Sequence, residues 1–487
     1  MTVRICVAIR ERTTEAAVAA ALRASEWADV IEIRADYIRN LDVRRLLREK
    51  PCPIIFTVRA GTEGGAFSGP EKSRLEILLK AAEEGADYID VEFSAFWKAI
   101  IDRVPTERII VSHHDFVSTP QSLETLLDAM SATGAGILKV ATRARSLSDN
   151  LRIAKLLEYA KERRLNLIAL AMGREGVPSR VLGPYWGSWT TFASLPGGEP
   201  TADGQIPADE MVSLYRVRQI GPETRLYGVL GRPLGHSLSP QIHNAAFAEK
   251  EINAVYLPLE ASGLDDFLEF HQQHPFEGTS VTIPFKEQAY QTAQSLSVSA
   301  EGSGAVNTLL RKGEGWHGEN TDIDGFLGPL RRMRHLAKIR AVVLGSGGAA
   351  RAAVYALRSQ ATSVCVVARN EVKARGLATR FQADYARWEE LQQMRWDLLV
   401  NTTPVGMYPQ IDESPVPGEW LNGEMVYDLV YNPIQTRLLK DAAQRGCKTI
   451  SGMEMFLGQA LRQQQLWLGH HAPEEVMRAV LEQALTK

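Results

Sequence analysis

A regular alternation of short β-rich runs with helical segments is the feature that most constrains the fold of this chain. Eight such runs fall in the first part of the sequence, at residues 4–9, 30–34, 54–59, 88–92, 109–113, 137–140, 167–171 and 189–192. Amphipathic stretches such as 15–27, 73–84 and 148–163 separate them. Eight strands alternating with helices predict a (β/α)8 barrel, and an open doubly wound sheet is the alternative α/β fold.

Charged side chains lie at or just after the C-terminal ends of several of these runs. They are Glu32, Arg34, Arg59, Glu63, Glu92 and His114. A barrel gathers these strand ends on one face, where barrel enzymes hold their active sites. We therefore expect these side chains to share one site.

Lys139 stands out because it interrupts the otherwise apolar run 136–141. Lysine is rarely buried without a role, although a structural pair with a carboxylate inside the barrel is the alternative. We expect the strand ends to bring Lys139 near Arg34, Arg59 and Arg180, where like-charge repulsion and burial favour the neutral amine. A neutral amine attacks a ketone to form an imine, and the arginines would bind an anionic substrate.

Six motifs of this half resemble, in the same order, those of type I 3-dehydroquinate dehydratases. The motifs are residues 32–36, 59 with 63–65, 112–116, 139–141, 179–180 and 202–205, and the resemblance covers residues 1–218. It implies that Lys139 forms a Schiff base with the substrate ketone. It also implies that His114 is the general acid and base, and that Glu63 orients and tunes it.

The same resemblance implies a set of substrate-binding residues. They are Glu32, Arg34, Arg59, Arg180, Thr201 and Gln205. Thr201 and Asp203 replace the serine and proline that are usual in the family's loop before the glutamine. Thr201 keeps a hydroxyl, whereas Asp203 adds a negative charge whose effect on binding the sequence leaves open.

A domain boundary is expected between residues 218 and 225. A helical stretch at 208–217 ends at Gly221-Pro222, and a new β run starts at Leu226. Glycine and proline together end regular structure, so a second folded part is predicted to begin here.

A glycine-rich turn later in the chain predicts a phosphate-binding loop. The apolar run 340–344 leads into Gly345, Gly347 and Gly348, and a helical segment follows. Glycines allow a pyrophosphate to approach the backbone at a helix N-terminus, although a plain strand-to-helix turn has the same composition. The next β run, 362–368, is followed by Arg369, where an acidic residue would bind the ribose of NAD. The cation favours the 2′-phosphate of NADP, and a solvated helix start is the alternative.

The second half resembles shikimate dehydrogenases from residue 225 to the C-terminus. The motifs are residues 237–239, 282–286, 304–308, 319–322, 345–351 and 452–459. Taken alone, Ser237 and Ser239 are also typical of helix capping. The resemblance implies that Lys286 and Asp322 form the catalytic pair, in which the ammonium stabilises and protonates the alkoxide that hydride addition creates. A surface salt bridge is the alternative.

The second resemblance also implies ligand-binding residues and a division into lobes. The substrate-binding residues are Ser237, Ser239, Thr282, Asn307, Tyr431 and Gln459, and the NADP-binding residues are Gly345, Gly347, Gly348, Ala349, Arg369 and Gly452. The predicted substrate lobe spans 225–335 with 452–487, and the predicted Rossmann-type NADP lobe spans 336–451. Ala368 departs from the asparagine that NADP-using members more often carry before the arginine, which places one hydrogen bond to the nucleotide in doubt.

Charge and cysteine content disfavour several other classes of protein. The net charge of −3 provides no basic surface for nucleic acid. No apolar stretch is long enough for a membrane span or a signal segment. The four scattered cysteines and the absence of a CxxC spacing predict a reducing compartment and no structural metal. We therefore expect a cytoplasmic protein that needs NADP(H) and no metal.

Together, the two resemblances imply a bifunctional enzyme that dehydrates 3-dehydroquinate and then reduces 3-dehydroshikimate to shikimate with NADPH. A non-catalytic regulator with both folds is one alternative, but it would be expected to have lost Lys139, His114, Lys286 or Asp322, and all four are present. A quinate-directed dehydrogenase that uses NAD is the other, and Arg369 and the paired serines disfavour it. The sequence leaves the oligomeric state open.

Overall fold

The computed structural model describes residues 3–95, 97–235, 237–333 and 335–486. Backbone contacts divide the chain into two units. Unit 1 consists of Met1–His236 and Asn253–Phe276, and unit 2 consists of Ser237–Ile252 and Glu277–Lys487. The domain limits expected from the sequence stay predictions.

Unit 1 contains a nearly closed barrel of eight parallel strands. The strands are β1 (Ile5–Ile9), β2 (Val30–Arg34), β3 (Ile54–Thr57), β4 (Tyr88–Glu92), β5 (Ile109–Asp115), β6 (Ile137–Arg143), β7 (Leu167–Met172) and β8 (Thr191–Ser194). They are adjacent in the order β7-β6-β5-β4-β3-β2-β1-β8. At the seam between β7 and β8, Trp189 N donates a hydrogen bond to Leu167 O (2.7 Å). The predicted (β/α)8 barrel is confirmed.

Helices alternate with these strands along the chain. They are α1 (Thr14–Ala24), α2 (Val43–Arg48), α3 (Glu71–Glu83), α4 (Lys98–Ile101), α5 (Glu124–Ser131), α6 (Asp149–Glu162) and α7 (Val177–Trp186). Side chains two residues apart point to the same face of a strand. Lys139 therefore shares its face with Ile137 and Ala141, which belong to a buried cluster with Ile110 and Phe192. The strand periodicity thus directs the lysine inward.

Four barrel strands end later than the sequence predicted, and two of them, β5 and β6, carry site residues. His114 and Asp115 continue β5 past the predicted end at His113, because they pair with residues 141–142 of β6, which itself runs to Arg143. The expectation that His114 follows its strand is therefore wrong. The cross-strand pairing fixes the imidazole on a sheet rather than on a loop.

The rest of unit 1 comes from the chain after the barrel. β9 (Arg225–Gly231) pairs in parallel with β10 (Ala254–Glu260). Between them the chain forms α8 (Ser239–Glu249) of unit 2, and α9 (Leu264–Gln273) follows β10 in unit 1.

The first part of unit 2 is a small mixed sheet with three helices. The chain forms β11 (Phe276–Val281), α10 (Lys286–Thr292), β12 (Ser295–Leu296), α11 (Val298–Ser303), β13 (Thr308–Lys312), β14 (Gly315–Glu319) and α12 (Thr321–Met333). β13 pairs antiparallel with both β11 and β14, and β12 pairs in parallel with β14.

A six-stranded parallel sheet forms the second part of unit 2. Its strands are β15 (Arg340–Leu344), β16 (Ser363–Val367), β17 (Asp384–Ala386), β18 (Leu398–Asn401), β19 (Met425–Asp428) and β20 (Lys448–Ser451). The order β17-β16-β15-β18-β19-β20 is that of dinucleotide-binding folds, in which ligands bind where the strand order reverses. The glycine-rich turn follows β15, at this point, as predicted.

Five helices complete unit 2. They are α13 (Gly348–Ser359), α14 (Glu371–Arg380), α15 (Arg437–Gln444), α16 (Gly452–Leu468) and α17 (Glu474–Thr486). α16 packs against α12, so the late helical segment returns to the first part of the unit. In the part of the chain that the structure describes, no helix is both long and apolar enough to cross a membrane.

Candidate active sites

One cavity at the C-terminal ends of the barrel strands contains every residue to which the first resemblance assigned a role. Glu92, which was also expected to share this site, does not line the cavity and instead pairs with Arg59 and Arg74. Its lining includes Glu32, Arg34, Arg59, Glu63, His114, Lys139, Arg180, Thr201 and Gln205. Phe116, Leu170, Met172 and Phe192 supply apolar walls. Strand ends that are far apart in sequence therefore form a single enclosed site.

Lys139 is buried in this cavity, with 5% of its surface exposed. Its Nζ donates to Glu32 Oε1 (3.2 Å) and Asp90 Oδ2 (3.3 Å), and it lies 4.1 Å from the centre of the Phe192 ring. The expectation that like charges dominate around the amine is wrong, because two carboxylates are within ion-pairing distance. Carboxylates stabilise an ammonium, so a proton must leave Nζ before the amine can attack a ketone.

The two arginines at the strand ends already have carboxylate partners. Arg34 pairs with Asp36 (2.9 Å), and Arg59 pairs with Asp90 (3.0 Å) and Glu92 (3.3 Å). Burial alone would raise the pKa of Asp90, but the charges of Arg59 and Lys139 hold it below its usual range. Asp90 therefore stays ionised beside the lysine.

Arg180 has no carboxylate within ion-pairing distance in the part of the chain that the structure describes, and the carboxylate charge that acts on it is that of Asp203. It is 1% exposed and donates to two backbone carbonyls, Asp203 O (3.1 Å) and Phe192 O (3.5 Å). Among the described residues, none accepts a hydrogen bond from its Nε. Burial lowers the pKa of Arg180 to about 10. A buried cation without an anionic partner is costly, so this position is suited to an anionic group of a ligand.

His114 and Glu63 form a hydrogen-bonded pair on the wall of the cavity. His114 Nδ1 lies 3.0 Å from Glu63 Oε2, and Ser94 Oγ donates to Glu63 Oε1 (2.5 Å). Burial, followed by the charges of Arg59 and Lys139, lowers the pKa of His114 well below its ordinary value. Burial also raises the pKa of Glu63. The imidazole is therefore neutral at neutral pH and able to accept a proton.

The loop with Thr201 and Gln205 is held by its own hydrogen bonds. Gln205 Oε1 accepts from Thr201 N (2.7 Å), and Gln205 Nε2 donates to Thr201 Oγ1 (3.0 Å). The carboxylate of Asp203 pairs with Arg143 (2.7 Å). The unusual aspartate is therefore engaged by an arginine of β6.

In unit 2, Lys286 and Asp322 form the expected pair. Lys286 Nζ lies 2.5 Å from Asp322 Oδ2, and Asn307 Nδ2 donates to Asp322 Oδ1 (2.8 Å). Thr321 N in turn donates to Asn307 Oδ1 (2.8 Å). Asn307 thus fixes the carboxylate that holds the lysine.

The other predicted substrate residues of unit 2 occupy three places. Thr282 directly follows β11, four positions before Lys286. Ser239 is the first residue of α8, and its N–H lies 3.4 Å from Ser237 Oγ. Tyr431 stacks on Phe456 (5.0 Å between ring centres), whose carbonyl accepts from Gln459 Nε2 (2.9 Å).

A separate cavity of about 950 Å³ lies at the glycine-rich turn. Its lining includes Gly345, Gly347, Arg369, Thr402 and Trp388. Gly345 has φ +118°, and a Cβ there would come within 2.4 Å of Thr402 Oγ1, so this position requires glycine. A helix N-terminus with an exposed arginine beside it suits a phosphorylated dinucleotide, so the residues present fit NADP(H).

Three further residues assigned to the cofactor differ in position. Gly348 and Ala349 are the first two residues of α13, directly after the glycine-rich turn. A Cβ on Gly452 would come within 2.4 Å of Leu429 O. Close packing of α16 on that backbone is therefore a sufficient reason for glycine at 452, and its role toward NADP(H) stays a prediction.

Three family models match the chain. Type I 3-dehydroquinase matches residues 5–222. The substrate binding domain of shikimate dehydrogenase matches residues 229–309, and the shikimate 5′-dehydrogenase C-terminal domain matches residues 452–482.

A relative with both parts covers nearly the whole chain. The bifunctional 3-dehydroquinate dehydratase/shikimate dehydrogenase of Arabidopsis thaliana, named as chloroplastic, is 35% identical over an alignment of 479 residues that covers 92% of this chain and 79% of that protein. The chain belongs to this bifunctional family.

Relatives of the reductase part alone agree with this assignment. The NADP(+) shikimate dehydrogenase of Microcystis aeruginosa is 39% identical over 283 residues, covering 54% of this chain and 98% of that protein. The crystal structure of shikimate 5-dehydrogenase from Thermus thermophilus, in complex with NADP(H) and shikimate, is 34% identical with a TM-score of 0.50, covering 54% of this chain and all of that one.

Two residues of the bifunctional enzyme's sites escaped the sequence analysis. Asp90 contacts Lys139 directly and lies two residues before Glu92 on β4, so it faces the same side of the strand. A buried charge inside a strand was the signal used for Lys139, and it applies equally to Asp90. Trp388 follows the short strand β17 and lines the nucleotide cavity, with no local motif to mark it.

Metal binding has no candidate in the described ranges. No group of three or more His, Cys, Asp or Glu side chains there is arranged to hold a metal ion.

Proposed function

We infer that the chain dehydrates 3-dehydroquinate to 3-dehydroshikimate in the barrel and reduces 3-dehydroshikimate to shikimate with NADPH in its C-terminal part. The observation that carries the first step is the shared cavity. A buried lysine, a neutral imidazole and a guanidinium without an ion-pair partner among the described residues lie together in it. Membership in the bifunctional family supports both steps.

Substrate binding in the barrel depends first on Arg180. Its guanidinium gains an anionic partner when the substrate carboxylate enters, which compensates its burial. Thr201 and Gln205 bind from the adjoining loop, and Glu32, Arg34 and Arg59 bind the hydroxyl groups. These contacts place the ketone next to Lys139.

Lys139 then carries the covalent step. His114 takes a proton from Nζ, and the amine adds to the C3 ketone. Through His114, two protons of the nitrogen pass in turn to the carbonyl oxygen, which departs as water and leaves an iminium. The ionised carboxylate of Asp90 lies beside this nitrogen and stabilises its positive charge. The iminium acidifies the neighbouring C2–H bond.

His114 moves the protons of the elimination. Its neutral imidazole takes the C2 proton, and the electron pair forms a double bond to C1 as the C1 hydroxyl leaves. The imidazolium protonates that hydroxyl, which departs as water. Hydrolysis of the imine returns Lys139 and releases the product, so no metal is required.

In the reductase part, the substrate is held by Ser237, Ser239, Thr282, Asn307, Tyr431 and Gln459. When bound in the cavity at the glycine-rich turn, NADPH supplies a hydride to the ketone. Lys286 stabilises the developing alkoxide and protonates it, and Asp322 keeps the lysine oriented. Gly345, Gly347, Gly348 and Ala349 would hold the pyrophosphate, Arg369 would hold the 2′-phosphate, and Gly452 would also contribute to cofactor binding.

A coupled assay with two single variants tests both assignments. Full-length protein with dehydroquinate and NADPH should consume NADPH after a lag, as dehydroshikimate accumulates. Lys139→Ala and Lys286→Ala should each fail alone, and an equimolar mixture of them should restore the conversion. Failure of the mixture, with both variants folded, would contradict the division of labour.

A trapping experiment tests the covalent step by itself. Borohydride added with dehydroquinate should add the mass of the reduced substrate to the peptide that contains Lys139. An unmodified peptide would disprove the imine.

For localisation we propose the cytoplasm, and cell fractionation checks this proposal. The ligands are the small molecules above, and no nucleic acid or membrane partner is proposed.

A further inference from the structure

Asp266 connects a loop of the dehydratase barrel to the segment that resembles shikimate dehydrogenase. It lies on α9, in unit 1, and is 9% exposed. Its carboxylate accepts from the backbone N–H groups of Leu147 (3.0 Å) and Ser148 (2.8 Å) in the barrel, and from Ser262 N (2.8 Å) at the start of its own helix. Burial opposes ionisation, but these backbone hydrogen bonds hold the pKa of Asp266 below its usual range. The carboxylate therefore remains charged and holds two donors of one barrel loop.

That loop, residues 144–148, follows the strand with Lys139 and has one connection toward His114. Arg145 Nε donates to Val117 O (2.8 Å). Val117 follows Phe116, whose ring stacks on His114 with 6.1 Å between ring centres and 15° between planes. The position of the loop thus affects the residue that packs on the proposed base.

A second connection leads from the loop toward Arg180. The side chain of Asn150 is fully buried and donates to Leu147 O (2.7 Å). Its Oδ1 accepts from Ser179 N (3.0 Å), and Ser179 directly precedes Arg180. Because buried hydrogen bonds fix geometry, the loop also determines where the carboxylate-binding arginine lies.

We propose that Asp266 is a positioning residue for dehydration: from the reductase segment, it fixes the loop 144–148 and through it His114 and Arg180. This inference rests on the proposed function of the barrel. Its consequence is that a substitution in the sequence of the reductase slows the other reaction. Loss of the anchor removes hydrogen bonds to a charged group, and we expect the resulting displacement of the loop to lower dehydratase kcat/KM about tenfold.

The test uses the full chain with Asp266→Ala and the matched control Asp265→Ala. Asp265 is exposed, carries the same charge and lies in the same turn of α9. Both activities are measured on every preparation, so the reductase reports on folding. We expect Asp266→Ala to lower dehydratase kcat and raise its KM, with reduction within about twofold of wild type. Asp265→Ala should leave both activities unchanged.

Arg145→Ala and the double variant separate positioning from general destabilisation. Arg145→Ala should lower dehydratase kcat with little change in KM, because its contact leads toward His114 alone. The losses should not multiply in Asp266→Ala/Arg145→Ala, since both act through one loop. Multiplying losses, equal loss of both activities in Asp266→Ala, or wild-type dehydratase kinetics in that variant would overturn the proposal. The wild-type protein's own dehydratase activity tests the proposed function separately.

Discussion

The two lysines assigned to chemistry lie in contrasting surroundings. Lys139 is 5% exposed and is held between two buried carboxylates. The side chain of Lys286 is 28% exposed and pairs with one carboxylate that is itself partly accessible. A covalent reaction is favoured by an enclosed amine whose counter-charges remain to stabilise the iminium. A proton donor must instead remain accessible to a substrate and a large cofactor.

The largest expected effect comes from removing the enclosed amine. Lys139→Ala should lower the dehydratase rate by about 10⁴-fold or more, because no other group replaces the covalent step. Reduction of dehydroshikimate by the same preparation should stay within about twofold of wild type. Initial rates of both reactions measure the outcome, and dehydratase activity near wild type would show that the chemistry does not pass through this lysine.

The same pair of lysines should differ in their contribution to folding. Lys139→Ala removes the cation that pairs with the buried carboxylate of Glu32, whereas Asp90 keeps Arg59 as a partner. We expect a cost of about 3 kcal/mol, at the low end for a broken buried ion pair. Lys286→Ala breaks a partly exposed pair, for which about 0–1 kcal/mol is expected. Denaturant unfolding followed by a probe in each part measures the difference. Equal losses would mean that the contrast in burial has no energetic consequence.

The sequence predicted which side chains meet, but it did not predict how their charges pair. Strand periodicity and strand order suffice to direct Lys139 inward and to gather the polar strand ends. Ion pairs depend on distances across strands, which periodicity does not encode. Asp36 and Asp90 compensate the arginines that were expected to repel the lysine.

In the reductase part, the glycine turn and Arg369 have local signatures and were identified from the sequence. Trp388 has none, because β17 is a short strand of three residues and its loop becomes part of the nucleotide cavity only after the sheet forms. Close packing likewise explains glycine at position 452, and only three-dimensional contacts reveal it.

The next effect concerns the hydrogen bond that orients the base in the enclosed site. Glu63→Gln should lower dehydratase kcat by about 10²–10³-fold, because the carboxylate fixes the Nδ1–H tautomer of His114 and stabilises the imidazolium. Ser94→Ala is the matched control, since it removes the hydrogen bond to Glu63 without touching the histidine. We expect a much smaller loss there. Equal losses of kcat in the two variants would indicate that both act by displacing the cavity wall, and not through the hydrogen bond to His114.

In the cavity at the glycine-rich turn, the choice between NADPH and NADH should depend on the exposed side chain of Arg369. Arg369→Ala should reduce the preference for NADPH over NADH by about 10–100-fold, as expected for loss of hydrogen bonds to a charged phosphate. The ratio of kcat/KM for the two cofactors measures it, and dehydration is the internal control. An unchanged ratio would exclude Arg369 as the residue that reads the 2′-phosphate.

The smallest expected effect concerns pH: the dehydratase rate should change little between about pH 8 and pH 6.5. An ordinary imidazole, with its pKa near 6.5, is half protonated at that pH, and a base of this kind would lose about half its activity there. Burial and the charges of Arg59 and Lys139 lower the pKa of His114 well below 6.5, so dehydratase kcat/KM should stay level from about pH 8 through pH 6.5 and fall only in more acidic solution. The same shift in pKa makes the stability of the barrel depend on pH. Below about pH 6.5 the imidazole of His114 takes up a proton in the unfolded chain but not in the folded barrel. The contribution of His114 to the free energy of unfolding is therefore present above that pH and is lost as the pH falls below it. Rate profiles and denaturant unfolding over the same range check both statements, and a half-maximal dehydratase rate at pH 6.5 would show that the enclosure does not keep the imidazole neutral.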